Sequence, residues 1–338
     1  MPEPTSTLTF EDLILEVARK SRTAYAGVDG DGSLEIPQDA YDLSEAKRHV
    51  NNAIRMFIHD GPSPHGWQWV KPTASITIWG NQGATPTKTL TSGGIFSGVT
   101  TLTANVDSFY PTMELKDITI TGVGTFNIAS YDSATQIKVT GDATAASAST
   151  WSITADGNYT LPVTFSGQHG GVISYGANTN QGLDIAWSSE GVIRQWREDV
   201  SDETGDPYWA AVRPMTVGSP RRRWELLVYP KPDEVMTLSF PYTLGFDKLI
   251  DLDEVPPCPF SHDDTIRAAC LAMVEKDVEE NLGPDWAYYQ KALLNSYRID
   301  AQSTPKRLGY FGNGGGSPTN VRDFRQNFYD RPTVGFNS

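Results

Sequence analysis

Leu13, Ile14, Val17 and Ala18 recur at the three- and four-residue spacing of one helical face. Thr9 precedes them, with Glu11 and Asp12 in the first turn, a capping pattern that also suits the positive end of the helix dipole. Lys20 and Arg22 close this helix, where cations suit its negative end. A second apolar face runs through Leu43, Ala46, Val50, Ile54, Phe57 and Ile58, with Asp42 or Ser44 as its cap and Gly61-Pro62 as its stop. Near the other end of the chain, Ile266, Ala269, Cys270, Met273 and Val274 predict a third helix, capped by Ser261 or Asp263 and ending at Gly283-Pro284. Pro284 then opens a fourth, lined by Trp286, Tyr289, Leu293 and Tyr297, at a position where its missing N–H costs nothing.

Between the helix pairs the period changes from three-to-four to two. Trp67, Trp69, Ile76, Ile78 and Trp79 are bulky and suited to strands. From about Asn81 to Trp151 the chain is rich in Thr, Ser, Ala and Gly, and charges are few. Short runs recur there (Val99 and Leu102, Ile118 and Ile120, Phe126 and Ile128, Ile137 and Val139) with Gly122, Gly124 and Gly141-Asp142 as punctuation. Such spacing predicts a small all-β sandwich or barrel inserted in a parent domain. The parent resumes near Tyr159. Residues 166–182 read as a glycine-rich loop, and 185–198 stays open between a short helix and a pair of strands.

Residues 221–234, RRRWELLVYPKPDE, alternate about Trp224, Leu226 and Val228 before a Pro-Lys-Pro-Asp turn. Met236, Leu238, Phe240 and Tyr242 give the return strand of an expected hairpin, one face on a core and the other partly wet. The fold class is therefore α+β: a helical bundle from N- and C-terminal helices, a β-hairpin and β-rich middle, and an inserted β domain. The expected map is 1–80 with 152–303 for the parent, 81–151 for the insertion, and 304–338 for a C-terminal arm. That arm holds Gly312 to Gly316 and no apolar period, so it has nothing to fold around by itself.

The formal net charge of -14 in 338 residues argues against a protein that wraps nucleic acid, because phosphates need clustered Lys and Arg. No apolar run approaches a membrane span, and MPEPTSTLTFEDL lacks the basic and apolar regions of a signal peptide, so the expectation is a soluble protein made in a cytoplasm. Two cysteines, Cys258 and Cys270, make neither a disulfide framework nor a metal quartet. Asp29, Asp31 and Ser33 invite a calcium loop, but Leu34 and Ala40 stand where it needs Gly and a bidentate acid. His49 and His59 are ten residues apart, not the four of a helical zinc pair. No nucleophile elbow, P-loop or zincin string occurs, so catalytic residues, cofactors and metals are all expected to be absent.

The string 222–233, followed by Leu238 to Tyr242 and Phe246 to Leu249, resembles the hairpin of tailed-bacteriophage head-to-tail adaptors, the connector or tail tubular protein A-like family. The two opening helices and the closing pair are similar to that family's bundle. The stretches Phe109-Tyr-Pro, Ile118 to Ile120 and Ser133 to Val139 resemble small β modules added to phage structural proteins. The resemblance implies a non-enzymatic ring, of twelve copies, in the virion neck. Its partners would be the portal, the tail tube or nozzle, and further copies of itself, with genomic double-stranded DNA passing unbound and no membrane contact. Arg221 and Arg223 are expected to face an acidic neighbouring subunit or portal. Arg322, Phe324, Arg325, Phe328 and Tyr329 make the arm a candidate for folding on a partner. A second reading has the Thr/Ser-rich insertion and the tryptophans serve as a glycan- or host-surface-binding module.

Overall fold

The computed structural model describes residues 6–26, 34–62, 66–83, 88–169, 173–176, 184–200, 203–215, 223–278, 280 and 282–303. The N-terminal part runs through α1 (Phe10–Ser21), the short strands β1 (Tyr25–Ala26) and β2 (Leu34–Glu35), α2 (Ala40–His59) and β3 (Thr73–Ile78). The inserted part follows: β4 (Gln82–Gly83), β5 (Thr89–Phe96), β6 (Val99–Ala104), β7 (Asp117–Ile120), β8 (Gly124–Ser133), β9 (Gln136–Thr140) and β10 (Ser149–Ile153). The parent resumes with β11 (Asn158–Thr160), β12 (Phe165–Gln168), β13 (Ser174–Tyr175), β14 (Ala186–Trp187) and α3 (Glu190–Asp199). It ends with β15 (Trp209–Pro214), β16 (Trp224–Tyr229), β17 (Met236–Leu244), α4 (Asp263–Val278) and α5 (Pro284–Ser303). The α+β class with a β-rich middle is what the patterning predicts. Residues 185–198, left open between helix and strands, hold both β14 and most of α3.

The bundle joins the two chain ends. Thr9 accepts from the Asp12 amide at 3.1 Å while the Asp12 carboxylate accepts from the Thr9 amide at 3.0 Å, a complete capping box on α1. α2 begins earlier than its apolar face suggests. Asp39, not Asp42 or Ser44, is the cap, accepting from Tyr41 and Asp42 amides at 2.8 and 3.2 Å. α4 packs against α1, α2 and α5. It is accordingly buried around most of its circumference, with Ala268, Ala269 and Ala272 keeping its neighbours close. Phe10, Ile14, Val50, Phe57, Trp67 and Tyr289 fill the space between these helices. Among the described residues no helix is long and apolar enough to cross a membrane.

Two four-stranded sheets face each other next to the bundle. One has the order β11-β16-β15-β14, antiparallel except for the parallel β14–β15 pair. In the other, β17 pairs with β3 along one edge and with β12 and β13 along the other. The expected hairpin is therefore corrected. β16 and β17 flank the Pro-Lys-Pro-Asp turn but belong to opposite sheets, so the turn is an arch that crosses the core. The partner of β16 in a true hairpin is β15, in register from Trp209↔Tyr229 to Pro214↔Trp224. Both faces of β16 are also covered: Leu226 and Val228 point into the inter-sheet core, while Leu227 and Tyr229 pack with Ile193 and Trp196 of α3. A strand covered on both sides can carry apolar residues at both parities, which is why WELLVY shows no clean alternation.

The insertion is a closed barrel. The antiparallel order runs β10-β5-β6-β9-β8-β7, and β7 returns to pair with β10. β4 adds to β10 beyond β5. Gly83 permits that approach: its φ is +90°, and a Cβ there would lie 2.0 Å from the Trp151 carbonyl oxygen. Leu102, Ile118, Ile128, Ile137, Val139 and Trp151 fill the interior. This core is continuous with the sandwich through Trp79, which donates from Nε1 to Thr112 Oγ1 at 3.2 Å and meets Tyr159 edge-on at 5.4 Å.

Candidate functional site

Of the residues the sequence singles out for contact, Arg221, Arg322, Phe324, Arg325, Phe328 and Tyr329 lie outside the described residues. Arg223 lies inside them, and it has an acidic partner within its own chain. Its Nη2 donates to Glu114 Oε2 at 2.7 Å, in the inserted barrel of the same chain. Glu114 is held for that contact. Its other carboxylate oxygen accepts from the Tyr131 amide at 3.2 Å, and its carbonyl accepts from Thr160 Oγ1 at 2.5 Å. The pair sits at a charged seam between barrel and sandwich. Lys116 is 2.9 Å from Asp156, and Arg213 bridges Glu225 at 2.6 Å and Glu190 at 3.3 Å. Sequence separation hid this arrangement: Glu114 and Arg223 are 109 residues apart.

A second cluster was not singled out by sequence. On α2, Lys47, Arg48 and Arg55 share a flank with Asn51, and Lys248 faces them from the segment after β17. Together with Leu43, Leu249 and Ile250 they line an open groove of about 570 Å³. A smaller hollow of about 280 Å³ continues it past Asn51, Arg55 and Lys248 toward Phe246. Asn51 builds the wall. Its Nδ2 donates to the Leu249 carbonyl at 3.2 Å, and its Oδ1 accepts from the Leu249 amide at 2.8 Å. Lys47 leans over the Phe10 ring at 5.8 Å and reaches the Ile250 carbonyl at 3.4 Å. Arg48 is ion-paired to Glu45 at 2.5 Å. Among the described residues neither Arg55 nor Lys248 has a carboxylate within 4.0 Å. Lys47, Arg48 and Arg55 were visible in the sequence as cations of one helix, but Lys248 reaches them only through the fold.

Reactive groups elsewhere are tied up in packing. Burial pushes the Cys270 thiol up to about 12, far from thiolate chemistry at neutral pH. His262 sits among Phe57, Trp67 and Trp69. His49 is 3.2 Å from Asp277, and burial lowers its pKa against that carboxylate's pull. The Tyr229 hydroxyl donates to Glu203, which with burial raises it to about 12. Arg197 is half-buried where α3 meets the sheet, donating to Asn158 Oδ1 at 2.7 Å and to the Gly157 and Val228 carbonyls at 2.8 Å. Desolvation lowers its pKa. Among the described residues no three His, Cys, Asp or Glu side chains converge as a metal would require. All nine tryptophans are buried or half-buried. The most open aromatic named at a strand end is Phe96, 87% exposed at the β5–β6 tip. Compared by sequence, no protein-family model and no curated protein matches the chain.

Proposed function

We propose that this chain is a structural head-to-tail adaptor of a tailed-bacteriophage virion, forming a ring between portal and tail through which genomic DNA passes. The observation that carries the reading is the bundle. α1 and α2 from one end of the chain and α5 from the other pack around α4, and they support a sandwich in which the WELLVY segment is an inner strand. An insertion then projects from that frame without breaking it. The side chains at the seams hold modules together rather than converge on a reacting centre, which supports a role without turnover. The acidic balance of the chain supports a lumen along which DNA moves without adhering. The arm from residue 304, with Arg322, Phe324, Arg325, Phe328 and Tyr329, is the segment offered to portal or tail.

The glycan-binding alternative draws less support. A stacking platform needs open aromatic faces, and the tryptophans are turned into cores. Electron microscopy of the protein mixed with portal tests the adaptor reading. Closed rings seated on the portal are expected. A protein that leaves the portal bare but adsorbs to host surfaces would overturn it in favour of the alternative.

A further inference from the structure

We infer that the cationic groove of α2 is the socket for a second copy of this chain, which enters with the exposed Val278, Glu280 and Leu282 where α4 gives way to α5. The inference rests on the adaptor reading only for the closing of the contact into a ring.

Two halves of a contact are present on one chain. The socket has an apolar floor of Leu43, Leu249 and Ile250 and a rim of Lys47, Arg55 and Lys248. The plug carries Val278 and Leu282, 59% and 57% exposed, with exposed Glu280 between them. Glu280 has φ +50°, a left-handed conformation that marks a sharp break between the two helices. Apolar floor meets apolar side chain, and cation meets carboxylate.

Charge favours a copy of the chain as the occupant. At a formal -14 two copies repel in general, so they associate only where the surface locally changes sign. The groove is such a place, since Arg55 and Lys248 have no carboxylate of their own within 4.0 Å among the described residues. The placement also suits a head-to-tail contact. Lys47 and Asn51 face the 249–250 segment, whereas His49 and Arg48 face Asp277 at the end of α4. Socket and plug are therefore two different patches, built from different residues and bordering each other at Arg48. Two different faces that meet give a heterologous interface, which repeats from copy to copy and closes if the rotation allows.

Sedimentation velocity on the full chain tests this, at low and high salt. The wild type is expected to self-associate and to loosen as salt screens the rim. Arg55→Glu with Lys248→Glu should weaken association at least about tenfold, as should Glu280→Lys alone. Combining all three, which swaps the signs across the contact, should regain part of the loss. All the altered positions are exposed, and unchanged thermal melts will separate a lost contact from a lost fold. Association of the Arg55→Glu, Lys248→Glu chain as tight as wild type overturns the inference and leaves the adaptor reading standing. A wild-type chain that stays monomeric also overturns it. An oligomer that depends on the groove but never seats on a portal supports the contact and sinks the adaptor reading.

Discussion

Glu275 is 1% exposed in the last turn of α4, and among the described residues its carboxylate is held by backbone amides. Its carboxylate accepts from the amides of Gly283, Asp285 and Trp286 at 3.1, 3.3 and 2.9 Å, satisfying the start of α5 from the end of α4. Gly283 makes room for it: a Cβ there would lie 2.3 Å from Oε1. Glu275→Ala should cost about 3 kcal/mol by urea denaturation, because the buried amides lose their acceptor, and Glu275→Gln about half as much. A loss under about 0.5 kcal/mol for the alanine would mean that water replaces the cap. Arg223 and Glu114 call for a double-mutant cycle on the isolated protein. A coupling of about 1 kcal/mol is expected for this half-buried pair, and zero coupling would return Arg223 to the pool of intersubunit contacts. The difference in legibility between these residues is one of distance along the chain. Thr9 and Asp12 cap their own helix three residues apart and can be read directly. Glu275 acts eight to eleven residues away across a turn, and Glu114 acts across a domain seam, so neither has a local signature.

At the scale of elements, α1 and α2 were legible because each buries one face with a regular spacing, and α4, buried around most of its circumference, still shows that spacing on one of its faces. α2 was read as starting too late, because its cap Asp39 precedes the apolar face by about a turn. The strands were harder to place, since the same alternation fits any partner. Proximity along the chain favoured a β16–β17 hairpin, whereas inter-sheet packing put the two strands on opposite sides of a core. The contact of α2 with α4 yields a prediction. His49 is 7% exposed and faces Asp277, with Arg48 and Glu45 beside it. Burial depresses its folded pKa below the ordinary 6.5, outweighing the carboxylates. The unfolded chain then binds the proton more readily than the folded one between the two values. Stability from this site is complete above pH 6.5, falls as pH drops below it, and levels off once the folded pKa is passed. Urea midpoints measured from pH 7.5 to 5 should show a smaller decline in His49→Gln than in wild type. An equal or steeper decline would show that Asp277, rather than burial, governs the site.

At the scale of the whole molecule, the insertion and its approximate limits could be seen in composition, but its closure could not. β7 meets β10 some thirty residues later in the chain, and no turn residue encodes that pairing. Nor does composition reveal that the barrel shares its core with the sandwich. Trp79 is the joint, and Trp79→Ala should cost about 4 kcal/mol while barrel and sandwich still unfold together. Separate barrel and sandwich transitions by calorimetry in the wild type would show that the shared core is not cooperative. The charge distribution carries the last prediction. A duplex bound by several lysines and arginines loses affinity steeply with salt, each neutralised phosphate adding nearly one unit to the slope. Among the described residues the groove has three cations without a carboxylate within 4.0 Å, Lys47, Arg55 and Lys248, on a chain of formal charge -14. That is too little to hold DNA at about 0.15 M salt, where screening is already short-ranged. Gel shifts with random duplex should therefore show no retention under those conditions, for the wild type and for Arg55→Glu with Lys248→Glu alike. Retention that vanishes with the reversed groove would make the groove a phosphate site. The subunit contact would then have to be sought elsewhere, and the proposed ring would brake its DNA instead of letting it slide.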